Sequence, residues 1–187
     1  MKKLLVFCGF LFLTILAFAQ EQKPVSLDSV VVSTNRVSSR TPATYTEVAK
    51  GQIEKSAPNY SIPQLLNLQP SVVATTEAGS GLGYSKISVR GSDATRINVS
   101  LNGVTINDAE SQEVFWVNIP SLTSFLQSVQ LQRGIGTTSN GVGSFGASID
   151  MQTDYVSPKP YSEGELSYGS FNTVVASMGA GSGLTPS

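Results

Sequence analysis

The sequence contains no histidine and a single cysteine, Cys8. Without an imidazole the chain lacks the side chain that titrates nearest neutral pH and the commonest protein ligand for transition metals. Cys8 sits inside an apolar N-terminal run. Once that run is removed, no thiol remains for a disulfide, a zinc cluster or a nucleophile. Charge is scarce too: charged residues make up 13% of the chain and the formal net charge is −1. No basic run is present, so the clustered Lys and Arg that neutralise phosphates are missing and no nucleic-acid partner is expected. Ser, Lys or carboxylate chemistry stays open. Yet no Gly-x-Ser-x-Gly elbow opens a helix, and Asp93, Asp108, Glu110, Glu113 and Asp150 are scattered over loops and one strand. Neither an enzyme nor a bound cofactor or metal is expected. What is abundant is Gly, Ser, Thr and Asn, with 40% hydrophobic residues, which suits an exported, β-rich protein with many turns.

The N-terminus reads as a leader. Met1-Lys2-Lys3 is a short positive region, 4–18 is apolar, and Ala17-Phe18-Ala19 has the small-x-small pattern of a signal-peptidase site. The run is short for a membrane-spanning helix, which needs about 20 apolar residues. Cleavage after Ala19 is expected, leaving Gln20 first and reducing the basic residues from 12 to 10 against 13 acidic ones.

Residues 20–44 are polar, carry Pro24 and Pro42, and show no helical period. They read as a flexible tail with one island, Asp28-Ser29-Val30-Val31-Val32-Ser33. Three consecutive β-branched residues make a ready strand. Two readings fit: a first strand of the domain, or an exposed peptide that another protein's sheet edge captures. The polar stretch 34–44 favours the exposed peptide.

Residues 45–157 read as an α+β domain with a small mixed sheet and short helices. Strands are expected near 45–48, 71–76, 86–90, 96–104, 128–133 and 147–153. The segments 86–90 and 96–104 alternate and are expected to pair as an antiparallel hairpin. Asn102-Gly103 signals a turn or bulge. Ser61-Ile62-Pro63-Gln64 reads as a helix start with a capping box, ended by Pro70. Leu122, Phe125, Leu126 and Val129 at helical spacing predict a short helix over 121–128. The loops 77–85 and 107–118 carry Gly79, Gly81, Tyr84, Asn107, Glu110, Phe115 and Trp116. The glycine-rich loop 134–146 opens no helix, so no nucleotide site is expected there. Beyond Pro158 and Pro160 the texture changes: Val174, Ala176, Met178 and Ala180 share one face of a strand, in the manner of a membrane β-barrel. Two strands leave open edges, and a membrane barrel must close. The remainder of a barrel is therefore expected in a longer protein.

The order of these pieces resembles the TonB-dependent outer-membrane receptors. Asp28–Ser33 resembles the TonB box. Gln64-Leu65-Leu66-Asn67-Leu68-Gln69-Pro70-Ser71-Val72 is similar to the plug's helix-to-strand motif. Ile87-Ser88-Val89-Arg90-Gly91 and Val99-Ser100-Leu101-Asn102-Gly103-Val104 resemble the family's "IRG" and "LDGV" elements. Val129-Gln130-Leu131-Gln132-Arg133-Gly134 with Phe145-Gly146-Ala147-Ser148-Ile149-Asp150-Met151 resembles the close of the plug. Asn102 departs from the usual Asp, and Ile135 from the usual Pro. The resemblance implies a plug domain at 45–157 and the first strands of a transmembrane β-barrel at 158–187. It implies an outer-membrane location and uptake of a scarce nutrient such as a metal chelate or vitamin. The periplasmic protein TonB would grip Asp28, Ser29, Val30, Val31, Val32 and Ser33. Arg90 and Arg133 would pair with carboxylates of the receptor's own barrel, and the two loops would face the ligand. The alternative is a stand-alone periplasmic module that binds TonB or a ligand without transport.

Overall fold

A computed structural model describes residues 36–37, 42–56, 61–79, 81, 83–135, 144–153 and 157–184. The expected leader and the segment Asp28–Ser33 lie outside the described residues, as do 136–143 of the glycine-rich loop.

Strict alternation shapes the main sheet. On β6 (Leu126–Arg133), Val129 and Leu131 point one way while Ser128, Gln130 and Gln132 point the other. β7 (Ala147–Thr153) repeats this with Ala147, Ile149 and Met151 against Ser148 and Asp150. β4 (Ile97–Leu101) does so with Ile97 and Val99 against Ser100. With the edge strands β1 (Tyr45–Ala49) and β5 (Val104–Thr105) they form a five-stranded sheet, ordered β1-β6-β7-β4-β5. The β4–β7 pair is parallel and the other pairs are antiparallel. Successive side chains of a strand point to opposite faces, so the sheet has one apolar face and one polar face.

The apolar face is covered by a second layer. β2 (Val72–Thr76) and β3 (Ser85–Val89) form a separate antiparallel hairpin. Val72, Ile87 and Val89 join Ile62, Leu65 and Leu66 of helix α2 (Ile62–Leu66), and Ile53 of helix α1 (Lys50–Ser56), in one core with the sheet. Each fully buried Leu or Ile contributes roughly 1.5–3 kcal/mol. A third antiparallel pair follows, β8 (Tyr161–Tyr168) with β9 (Val174–Gly181).

Several expectations need correction. The pairing of 86–90 with 96–104 does not form: β3 pairs with β2, and β4 sits between β7 and β5 in the main sheet. Alternation fixes which face is buried, not which strand lies alongside. The 121–128 helix is a 3-10 turn at Leu122–Phe125, and β6 already begins at Leu126. The capping box at Ser61 does not close. The side chain makes no cap bond, and Pro63, which has no N–H to donate, stands in the first turn. Helix α1 at Lys50–Ser56 gives no clear apolar period and escaped the sequence reading. The flexible-tail reading fails at Arg36 and Val37, which lie on the sheet (below).

Candidate functional site

Arg90 and Gly91 close a tight turn after β3. Both have positive φ, 51° and 77°. Val89 and Ser92 exchange two backbone hydrogen bonds across them at 3.1 and 2.9 Å. Arg90 thus holds a left-handed conformation that suits glycine or asparagine. Arg133 ends β6 and is buried. Its Nε donates to the Pro70 carbonyl at 3.0 Å and its Nη2 to Thr46 Oγ1 at 2.7 Å. Burial, and then the neighbouring Arg90 guanidinium, lower the Arg133 pKa from its ordinary value. The fold therefore brings two cations together, and among the described residues no carboxylate forms an ion pair with either.

The expected ligand-facing residues separate into distinct groups. Tyr84 is 61% exposed and Phe115 46% exposed, and Glu110 is exposed. Trp116, by contrast, is 4% exposed and belongs to the hydrophobic core. Asn107 has its amide fully used. Its Nδ2 donates to the carbonyls of Ile97 and Gln112, and its Oδ1 accepts from the Val99 N–H at 2.7 Å. Asp108 caps the same loop, accepting from the N–H groups of Ser111 and Glu110 at 2.9 and 3.0 Å. Those backbone donors hold its pKa below the ordinary aspartate value. Gly79 lies under the Phe171 ring of the β8–β9 turn, where an added Cβ would meet Cζ at 3.1 Å. Gly81 has φ +77°, a left-handed backbone that strains any other residue, and the Gln64 amide packs against it.

On β8–β9 the directly paired Leu166 and Ala176, and Tyr168 and Val174, fall on one face together with Met178 and Ala180. Met178 is 87% exposed. Tyr161, Glu163, Glu165, Ser167 and Ser177 occupy the opposite face. A cavity of about 490 Å³ lies on that second side, between Glu163 and Glu165 and the Ile53, Glu54 and Phe125 side of the domain.

A family model described as the TonB-dependent receptor plug domain matches residues 37–148, more than half of the chain. The chain belongs to the TonB-dependent receptor plug family. Solved structures share the plug fold. The siderophore receptor PirA from Acinetobacter baumannii is 19% identical with a TM-score of 0.54, over 65% of this chain and 19% of that one. P. aeruginosa FpvA is 16% identical with a TM-score of 0.60, over 78% and 18%. The copper transporter OprC is 16% identical with a TM-score of 0.59, over 78% and 23%. The chain thus spans about a fifth of the length of these receptors. Comparison with curated protein sequences gave no match.

Within the plug, one polar feature escaped the sequence reading. Glu47, Gln130, Asp150 and Ser100 form a single lateral row across the polar face on β1, β6, β7 and β4. Arg36 and Val37 lie across that row. A lone Arg in a polar stretch carries no periodic signal, and the row exists only once four strands are in register.

Proposed function

We propose that the chain is the plug and first barrel hairpin of an outer-membrane receptor that takes up a scarce nutrient, a metal chelate or a vitamin. TonB drives it by gripping Asp28–Ser33 through strand addition and pulling. Backbone hydrogen bonds give the grip, and Val30, Val31 and Val32 set the register. The observation that carries this reading is the hairpin that directly follows the plug. One face of it is apolar and exposed, and the other carries Glu163, Glu165, Ser167 and Ser177. This is the two-sided writing of a barrel strand between lipid and lumen.

Arg90 and Arg133 anchor the plug in this reading. Two adjacent guanidinium groups, one of them buried, call for carboxylate partners, and the barrel wall supplies them. Tyr84, Phe115 and Glu110 are the residues that meet ligand. Trp116 and Asn107 hold the ligand-side loop in shape from below.

Binding of the chain to a purified TonB C-terminal domain tests the coupling. Val31→Pro removes a backbone donor and blocks strand addition. Binding that is lost in this variant supports the role of Asp28–Ser33. Binding that persists unchanged, or no binding by a well-folded wild-type chain, overturns it and leaves a module that does not transport.

A further inference from the structure

The arginine at position 36 occupies a site built for a guanidinium. Its Nε donates to Asp150 Oδ1 at 2.6 Å. Nη1 donates to Ser128 Oγ at 2.9 Å and reaches Glu47 Oε1 at 3.3 Å. Nη2 donates to the backbone carbonyls of Ser128 and Asp150 at 3.3 and 3.2 Å. The side chains of Arg36 and Asp150 are only 10% and 11% exposed. The second carboxylate oxygen, Asp150 Oδ2, is held by Ser100 Oγ at 2.7 Å. Next along the chain, the Gln130 amide pairs with the Val37 backbone as a strand neighbour would. It accepts from Val37 N at 2.8 Å and donates to Val37 O at 3.0 Å.

We infer that Arg36 and Val37 form a releasable clasp, in which the polar row Glu47–Gln130–Asp150–Ser100 grips the chain three residues beyond Ser33. Two physical features make it a clasp rather than another piece of core. Its grip is mainly polar, with the buried Val37 side chain as its one apolar part. Hydrogen bonds to protein exchange for hydrogen bonds to water at modest net cost, and the uncovered row is hydrophilic and accepts water. The apolar face opposite has no such option, because opening it exposes Val129, Leu131, Ile149 and Met151 together. The second feature is position. A pull on 28–33 loads Arg36 before it reaches β1, so the clasp sets the force at which the segment comes free. This role for the clasp rests on the coupling function proposed for 28–33; its existence does not.

Trypsin tests the clasp in the full chain, because the Arg36–Val37 bond is cleaved only when both residues leave the sheet. Asp150→Asn removes the charge and keeps the shape. Arg36→Lys leaves a cleavable residue whose single ammonium cannot reproduce the fork of contacts. Each variant is expected to speed cleavage after residue 36 about tenfold or more, the factor that goes with one lost charge-assisted hydrogen bond. Cleavage after Lys55, read from the same digest by mass spectrometry, should stay at the wild-type rate. Unchanged cleavage at 36 overturns the clasp. So does acceleration at 36 and Lys55 by one common factor, since Asp150 would then only stabilise the fold. Binding of the TonB C-terminal domain separates the two ideas. Selective acceleration at 36 with tighter TonB binding supports the clasp in its coupling role. Selective acceleration with no TonB binding in any variant keeps the clasp and sinks the coupling function.

Discussion

At the scale of single residues, the plug places side chains in conformations they do not favour. Arg90 has φ 51° where Gly or Asn would sit at lower cost, and such strain is worth of the order of 1–3 kcal/mol. In the proposed role, this strained cation and the buried one beside it meet carboxylates of the barrel wall. Asp108 is the opposite case, a residue spent on its own loop. Its carboxylate accepts from Ser111 and Glu110, which lowers its pKa. The folded loop therefore binds the proton less tightly than the unfolded chain does. The stabilisation is complete above the ordinary aspartate range and is lost as pH falls through the lowered folded value. The NMR amide shifts of Glu110 and Ser111 are expected to titrate together, with a midpoint below the usual aspartate value of 3.8. In Asp108→Asn that step should vanish. A midpoint at or above the ordinary value would contradict the capping role.

At the scale of elements, the parallel β4–β7 pair joins distant parts of the chain, and Gly146 is where they close. Its N–H donates to the Arg96 carbonyl at 2.9 Å, and its carbonyl accepts from the Gly134 N–H at 2.8 Å. An added Cβ would lie 2.4 Å from Ser92 Cβ and 3.2 Å from the Arg96 carbonyl oxygen. Part of that crowding is backbone, which cannot rotate away. Gly146→Ala is expected to destabilise the domain by roughly 1–3 kcal/mol, measured as a drop in the urea midpoint at constant m-value. A midpoint equal to wild type would show that the start of β7 has slack.

At the scale of the whole molecule, the plug and the β8–β9 hairpin are written for different surroundings. The plug buries its apolar side chains around Ile149 and Leu131. The hairpin turns Leu166, Val174 and Met178 outward. In a receptor with a complete barrel, Met178→Arg should cost about 2–4 kcal/mol if the residue faces mid-bilayer lipid. Ser177→Arg, on the other face, should cost much less. Urea unfolding of the receptor in lipid vesicles compares the two. Equal costs would remove the lipid-facing assignment.

The sequence by itself determined the order of pieces and the burial of each strand face. Periods of two residues in 97–101, 129–133 and 147–153 say which side chains turn inward, and these are local properties of the chain. It also determined the turn at Asn102-Gly103, because Asn and Gly are the residues that accept a left-handed backbone at least cost. Tertiary structure alone decided partners. It placed β3 beside β2 rather than β4, and it shortened the helix before β6 to one 3-10 turn. It buried Trp116 in the core and spent the Asn107 amide on the backbone. It also laid Arg36 over a row of four residues drawn from four strands. Which strands lie side by side in the main sheet, β1 on β6 and β4 on β7, depends on contacts between residues far apart along the chain, which alternation within one strand does not encode. The polar site that grips Arg36 is therefore a property of the assembled sheet.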